Sequence, residues 1–336
     1  MPSFRTGDVT AVLSERAGLQ RVEVDGERAY VLTRLIGPVA VGDRVVVNTT
    51  AVDLALGTGG WHVVHWNLSR EAWSDEGRGH ILKLRYTPLQ LDTGAAEEHP
   101  DYAEPPSLDG MPVVACALHS QLACVAAVFK HLRPDKRLVY VMTDAASLPL
   151  ALSDLVHDLA DRGLLDATVT AGQAFGGDHE AVNLPSALDV AKAAAHADAV
   201  VVATGPGVVG TGTKHGFSAL EVAGIVDAAG VAGGRPIVAL RYSDADPRPR
   251  HQGISHHSTT ALQYMHEQAV VPIPAKEKAF GAGARHKVEH VVVPDVPALL
   301  EAAGLRVTTM GRGPEDDPRF YAYAGAAGVV AARLVP

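Results

Sequence analysis

A glycine-rich segment in the second half of the chain has the residue types and spacing of an anion-binding loop. Residues 204–217 read TGPGVVGTGTKHGF, follow the apolar run 199–203 and precede a helical pattern over 218–229. Glycines let a backbone approach a ligand closely, and free N–H groups at the start of a helix attract negative charge. Lys214 and His215 add a cation and a group that can move a proton. The segment therefore predicts a site for a small anionic metabolite, phosphorylated in one version of the hypothesis.

Within this segment we assign the ligand contacts to four glycines and one lysine, which are Gly205, Gly207, Gly210, Gly212 and Lys214. The first three satisfy the dinucleotide fingerprint G-x-G-x-x-G formally, but a proline stiffens the turn and the acidic residue expected about twenty positions later is absent. The P-loop pattern fails because Lys214 follows a threonine and not a glycine. The pattern disfavours a nicotinamide cofactor and identifies no other. A flexible glycine loop without a ligand is the alternative.

Polar residues also follow the other predicted strands of this part of the chain. Ligands of open parallel sheets bind beyond the carboxyl ends of the strands, so we expect these residues to share one edge. His119 and Ser120 follow the first strand and are assigned to ligand binding. The candidates for moving a proton are Asp144, Asp178, His179 and His215. Adjacent residues of an extended loop point apart, so residues 178–180 are not all expected to face one ligand, and a polar surface loop is the alternative there.

The densest group of imidazoles is His251, His256 and His257. If Ser255 or Ser258 caps the following helix, these histidines lie at its N-terminus, where their pKa values are lowered. His256 and His257 would then orient an anionic substrate. A metal site needs three or four convergent donors, and the spacing leaves a metal centre and an anion-facing hydrogen-bond cluster both open. A divalent-metal hydrolase would require these histidines to meet Asp144 or Asp178.

The composition is that of an ordinary globular protein, with 47% hydrophobic and 20% charged residues. A net charge of −9 without a basic tract disfavours nucleic acid and anionic membranes as partners. No segment has the length of a signal peptide or a spanning helix. Cys116 and Cys124 have neither redox nor zinc-knuckle spacing. We therefore expect a cytoplasmic protein with reduced thiols.

The elements that would position these residues fall into two domains. Residues 1–91 contain six short strand patterns, the last at 81–85, and predict a small β-barrel or sandwich. Residues 92–110 are rich in acids and prolines and predict an exposed linker. Residues 111–336 alternate apolar strands, the last at 306–309, with helices, which predicts a doubly wound, largely parallel, Rossmann-like α/β domain.

Five segments carry a resemblance to a known family: 41–48 (VGDRVVVN), 58–62 (TGGWH), 118–121 (LHSQ), 205–212 (GPGVVGTG) and 253–258 (GISHHS). In these segments the chain resembles the bacterial family called Domain of Unknown Function 3866. The resemblance covers nearly the whole chain. It implies no established activity, so it assigns no catalytic residue.

The leading hypothesis is an enzyme of undefined reaction class that acts on a small anionic metabolite at the strand-end edge. A competing hypothesis is a non-catalytic ligand-binding or assembly protein, in which the β-domain would make a homo-oligomer. A third is the divalent-metal hydrolase described above. An enzyme should bring acid or base groups within hydrogen-bond reach of one cavity, and this geometry separates the first two hypotheses.

Overall fold

The computed structural model describes residues 1–57, 59–77, 79–102 and 104–336, with Asp101 described by its backbone only. Thr58, part of a segment that carries the family resemblance, and the carboxylate of Asp101 in the predicted linker therefore lie outside the described residues. The chain divides into two compact units, Met1–Gly94 and Ala95–Pro336. Each unit is described by itself below.

The first unit is a closed five-stranded barrel with the strand order β1-β2-β3-β5-β4. Its strands are β1 (Phe4–Arg16), β2 (Leu19–Val24), β3 (Glu27–Leu32), β4 (Arg44–Asn48) and β5 (His62–Asn67), and its two helical turns are α1 (Thr33–Ile36) and α2 (Thr50–Asp53). Alternate residues point inward, as the period of two in a strand requires, and valines fill the interior. Asp25 and Gly26 join β2 to β3 with φ angles of 50° and 82°, the left-handed conformation of a two-residue hairpin turn. The prediction of a small barrel or sandwich is confirmed, and the closed strand order identifies it as a barrel.

The sixth predicted strand of this unit, at 81–85, is wrong as a member of the barrel. Only two of its residues are extended, as β6 (Leu82–Lys83), and they pair with β7 (Leu91–Asp92) in a separate two-stranded sheet. Leu84 has a φ of 52°, which ends the extended run.

The second unit contains an eight-stranded sheet in which every neighbouring pair is parallel. Its order is β11-β10-β9-β12-β8-β13-β16-β17. Its strands are β8 (Pro112–Cys116), β9 (Leu138–Thr143), β10 (Ala167–Thr170), β11 (His179–Glu180), β12 (Ala199–Thr204), β13 (Arg235–Ala239), β16 (Val270–Pro274) and β17 (Lys287–Val291). Two further strands, β14 (Tyr242–Ser243) and β15 (Gly253–Ile254), form a separate small sheet. The central strands are buried on both faces, as their continuous apolar sequences indicate.

Helices cover both faces of this sheet. They are α3 (Gln121–Leu132), α4 (Asp154–Asp161), α5 (Leu184–Ala193), α6 (Val222–Val231), α7 (His256–Tyr264), α8 (Val296–Ala302) and α9 (Pro318–Leu334). Residues of α3, α4, α8 and α9 share one hydrophobic core with the sheet, and residues of α5, α6 and α7 share the other. The predicted doubly wound α/β architecture is confirmed. Both cysteines are free and buried. Among the described residues, no helix has the length and apolar character needed to cross a membrane.

Two local predictions in this unit are wrong. The run 306–309 forms no strand and contributes only an isolated bridge between Thr309 and Arg312. Residues 178–180, treated above as part of a loop, are not all loop, because His179 and Glu180 form the edge strand β11. A strand of two residues is too short to show the alternation of apolar and polar residues in its sequence. The strand β11 forms because it hydrogen-bonds to the neighbouring strand β10. Side-chain bonds from Thr168 and Thr170 to Asp178 and Glu180 then hold it in place.

Candidate functional site

The carboxyl ends of β9, β12 and β8 form the switch point of the sheet. The chain leaves β8 and β9 towards α3 and α4 on one face, whereas it leaves β12 towards α6 on the other. Neighbouring connections that diverge in this way open a crevice at the strand ends, where α/β proteins bind ligands. Residues following these three strands therefore define the candidate site.

His119 lies in this crevice, and both of its ring nitrogens are bonded to the protein. Nδ1 lies 3.1 Å from the carbonyl oxygen of Thr204, which can only accept, so Nδ1 carries the proton. Nε2 lies 2.7 Å from Oγ of Ser153, the residue that caps α4. Burial lowers the pKa of His119 to about 4, so the ring is neutral at pH 7. His119 thus ties three elements together, and its neighbour Ser120 is half-buried at the start of α3.

At Gly205 the backbone packs closely against the backbone of Ser147 in the loop after β9. The amide N of Ser147 donates to the carbonyl of Pro206, and a Cβ atom on Gly205 would lie 2.5 Å from the carbonyl oxygen of Ser147. The missing side chain at 205 therefore lets the loop after β9 pack on the end of β12.

We expect Gly205→Ala to destabilise the second unit by about 1–3 kcal/mol, because the clash is with backbone and not with a flexible side chain. Urea unfolding followed by circular dichroism would measure this loss. Gly224→Ala is the matched control: a Cβ there, in helix α6, would meet nothing within 4 Å. It should be neutral or stabilise by up to about 1 kcal/mol. Equal responses at the two positions would contradict the packing role of Gly205.

The rest of the glycine-rich segment is an exposed hairpin-like turn closed by a bridge between Gly210 and Phe217. Gly207 and Gly212 have φ angles of 99° and 83°, a conformation that favours glycine. Lys214 is exposed and makes no hydrogen bond or ion pair with the described part of the chain. The ring of His215 lies 3.0 Å from the hydroxyl of Tyr264 through Nε2. The turn therefore presents glycines and a cation to solvent.

The three histidines converge at the N-terminus of α7. Their ring centroids are 4.5–5.1 Å apart, and one ligand atom from each lies within 4.8 Å of the others. Ser255 caps the helix by accepting from the amide of His257, which is the geometry on which the sequence prediction depended. His257 also stacks on Phe217 at 3.9 Å, and a Cβ on Gly212 would lie 3.6 Å from the guanidinium of Arg250. The structure thus brings His256 and His257 together with the glycine-rich turn.

Burial holds these histidines neutral. It lowers the pKa of His251 and of His257 to about 3 in each case, and the charge of Arg241 acts in the same direction. The pKa of His256 is also lowered, first by burial and then by the charge of Arg250. Nε2 of His256 is buried and has no hydrogen-bond partner among the described residues. A neutral imidazole with an unused nitrogen is equipped to bind a ligand or to accept a proton.

An arginine-rich ion network surrounds the cluster. Asp246 is fully buried and pairs with Arg241, Arg248 and Arg312 at 3.3, 2.8 and 3.5 Å. Arg312 also pairs with the buried Asp317 at 3.3 Å. Together with the exposed Arg250, the residues of this network are four arginines and two aspartates, an excess of positive charge.

The contact between Arg241 and His257 decides what the cluster can bind. Nη1 of Arg241 lies 3.3 Å from Nδ1 of His257. A guanidinium only donates, so Nδ1 is the acceptor and the proton of the neutral ring is on Nε2. His257 therefore presents an N–H donor, whereas a metal ligand would need a lone pair there. The positive surroundings favour the same kind of ligand, which is an anion.

Of the four residues predicted to move a proton, His215 lies on the glycine-rich turn and contacts Tyr264 of α7, whereas Asp144, Asp178 and His179 make no contact with the histidine cluster among the described residues. Oδ2 of Asp178 accepts from the amide and hydroxyl of Thr168, and His179 lies in edge strand β11, three strands from β12. Asp144 is exposed and accepts from the amide of Gln173. In the described part of the chain neither aspartate contacts the histidines, so the condition set for a metal hydrolase is not met there.

Sequence reasoning missed Glu221. Oε1 of Glu221 accepts from the hydroxyl of Thr143 at 2.8 Å, and burial, with the charge of Asp144, raises the pKa of this carboxyl to about 7. A carboxyl group with a pKa near neutrality in a crevice has the properties of a proton-transfer group.

Residues 28–328 match the family described as Protein of unknown function (DUF3866). The chain belongs to this family. No curated protein and no solved structure matches the chain.

Some residues of the site in this DUF3866 chain could have been found from the sequence, and others could not. Arg241, Arg248, Arg250 and Asp246 lie in a stretch dense in charge soon after β13, and that density was the available signal, whereas Arg312 joins them from a distant part of the chain. Glu221 had none, because it lies at the start of an ordinary helical pattern and its partner is 78 residues away.

Proposed function

We propose that this protein is an enzyme that binds a small anionic metabolite at the N-terminus of α7. The anion would be held by the Nε2–H of His257, the side chain of Arg250 and the backbone amide of His256 at the start of the helix, beneath the glycine-rich turn. His256 would contact the same ligand through its unused Nε2.

The observation that carries this proposal is the donor character of the cluster. Arg241 fixes the proton of His257 on Nε2, and the pKa values of all three histidines are lowered, so the imidazoles are neutral donors and acceptors at pH 7. The helix dipole and the excess of arginine charge favour a negative ligand at this point. Glu221, in the neighbouring crevice, supports an enzyme over a simple binding protein because it can exchange a proton near pH 7.

A thermal-shift screen tests this proposal. The probes are inorganic phosphate, acetate and a panel of phosphorylated and carboxylated metabolites, each with and without zinc. A ligand present at about a hundred times its Kd stabilises the folded protein by about 2.7 kcal/mol, which raises the melting temperature measurably. We expect dose-dependent stabilisation by anions without zinc, and weakening of their binding by about tenfold or more in Arg250→Ala.

The matched control is Arg306→Ala, which removes another exposed arginine of the second unit. It should bind the same anions as the original protein. Stabilisation by zinc alone that is lost in His256→Ala would favour the metal-hydrolase hypothesis. No response to any anion would leave the assembly hypothesis as the better one.

A further inference from the structure

The crevice at the carboxyl ends of β9 and β12 contains a buried hydroxyl that forms no hydrogen bond with any described residue. Thr204 is 1% exposed, and its Oγ1 has no hydrogen-bond partner among the described residues. Buried polar groups are almost always paired, because an unpaired one destabilises the fold. Such a group at the carboxyl end of a central strand is placed to form its missing hydrogen bond with a ligand.

The carboxyl of Glu221 lies on the same side of the sheet as the Thr204 hydroxyl. Thr204 and Thr143 are paired in the ladder between β12 and β9, so their side chains project to the same face about 4.8 Å apart. The bond from Thr143 places Glu221 at that face as well. No second hydrogen bond to the Glu221 carboxyl is present among the described residues. The crevice therefore offers one hydroxyl and one carboxyl to a ligand.

We propose that this pair binds a hydroxyl group of the same substrate whose anionic group lies at α7, so that the substrate is a phosphorylated or carboxylated polyol. A carboxyl that is half protonated near pH 7 both donates and accepts, as a hydroxyl ligand requires. In its protonated form it adds no negative charge beside an anion. This inference rests on the proposed function, since it takes the anion site as given.

The fold sets the length of the substrate. Phe217, which stacks on His257, is joined to Glu221 by the 3₁₀ turn Ser218–Glu221, and four residues of 3₁₀ helix rise about 8 Å. Strand β12 is also two places from β13, which leads to Arg241, and two strand spacings make about 10 Å. With bonds of about 1.5 Å, about five to seven bonds are needed to cover this span, so the anionic group and the bound hydroxyl of the substrate should be separated by about that number of bonds.

Isothermal titration calorimetry with two pairs of probes tests the inference. Ribose 5-phosphate is compared with inorganic phosphate, and gluconate with acetate, so that each polyol has a short anion as its reference. We expect at least one polyol to bind about tenfold or more tightly than its reference. Thr204→Val should abolish this advantage and leave the short anion unaffected. Arg250→Ala should weaken the polyol and its reference alike.

Thr204→Val is suited to this test because valine has the same shape and removes a hydroxyl that is unpaired in the free protein, so folding should be preserved. Glu221→Gln is the second variant and should reduce the polyol advantage as well. If both variants bind the polyols as the original protein does, or if neither polyol binds better than its reference, the inference is overturned while the anion site stands. If none of the four probes binds, the proposed function itself fails.

Discussion

Asp246→Ala is expected to destabilise the second unit by about 3–5 kcal/mol, because it leaves a buried arginine without its counter-ion. The Asp246 side chain is completely buried, and Arg241, which it pairs with, is 5% exposed. Burial on its own raises the pKa of Asp246, but the hydrogen bonds with Arg248 and the charges of Arg248 and Arg241 outweigh it and hold the pKa well below its usual range. The network therefore stabilises the folded state throughout the neutral range and loses that contribution only in strong acid.

Unfolding in urea can be followed separately in the two units. All three tryptophans, Trp61, Trp66 and Trp73, lie in the first unit, whereas the long helices lie in the second. We expect Asp246→Ala to shift the circular dichroism transition at 222 nm to lower urea. The matched control is Asp158→Ala, which breaks an exposed ion pair with Arg162 and should cost less than about 1 kcal/mol. A similar small loss at Asp246 would show that the network contributes little to stability.

Stability is expected to fall steeply between pH 6.5 and about pH 4, because the buried histidines stay neutral in the folded state and are protonated on unfolding. The folded pKa values of His251 and His257 are about 3, and that of His119 is about 4, all below the ordinary value of 6.5. Below pH 6.5 the unfolded chain therefore binds more protons than the folded one. Each such histidine lowers the free energy of unfolding by up to about 1.4 kcal/mol per pH unit.

The measurement is the free energy of unfolding in urea at half-unit pH steps, compared between the original protein and His257→Gln. The variant should show a slope smaller by up to about 1.4 kcal/mol per pH unit below pH 6. His157→Gln, which removes an exposed imidazole from α4, is the control for the loss of one histidine elsewhere. A slope that is unchanged in His257→Gln would mean that this imidazole is protonated in the folded protein.

Local patterns in the sequence were sufficient for most of the fold. The valine-rich alternation of β1 to β5 and the Asp25-Gly26 turn predicted a small barrel or sandwich, and the unbroken apolar runs of β8, β9 and β12 predicted a parallel sheet. These predictions succeeded because an element of five or more residues shows its period in its own sequence. The edge strand at His179 and Glu180 was missed because two residues show no period, and the run 81–85 failed because its pairing partner is β7 and not a strand of the barrel.

The same distinction between local patterns and contacts of distant residues applies to the candidate site. The sequence by itself determined the capped start of α7 and the neighbouring histidines, because a serine cap and the first turn of a helix are set by adjacent residues. The contact of Arg241 with His257, the burial of Asp246 and the bond between Thr143 and Glu221 were decided only by the tertiary structure. The pKa values follow from burial and from charges on other elements, and strand order decides which elements those are. For that reason the sequence located the sheet edge that holds the candidate site, whereas the fold decided which side chains meet there.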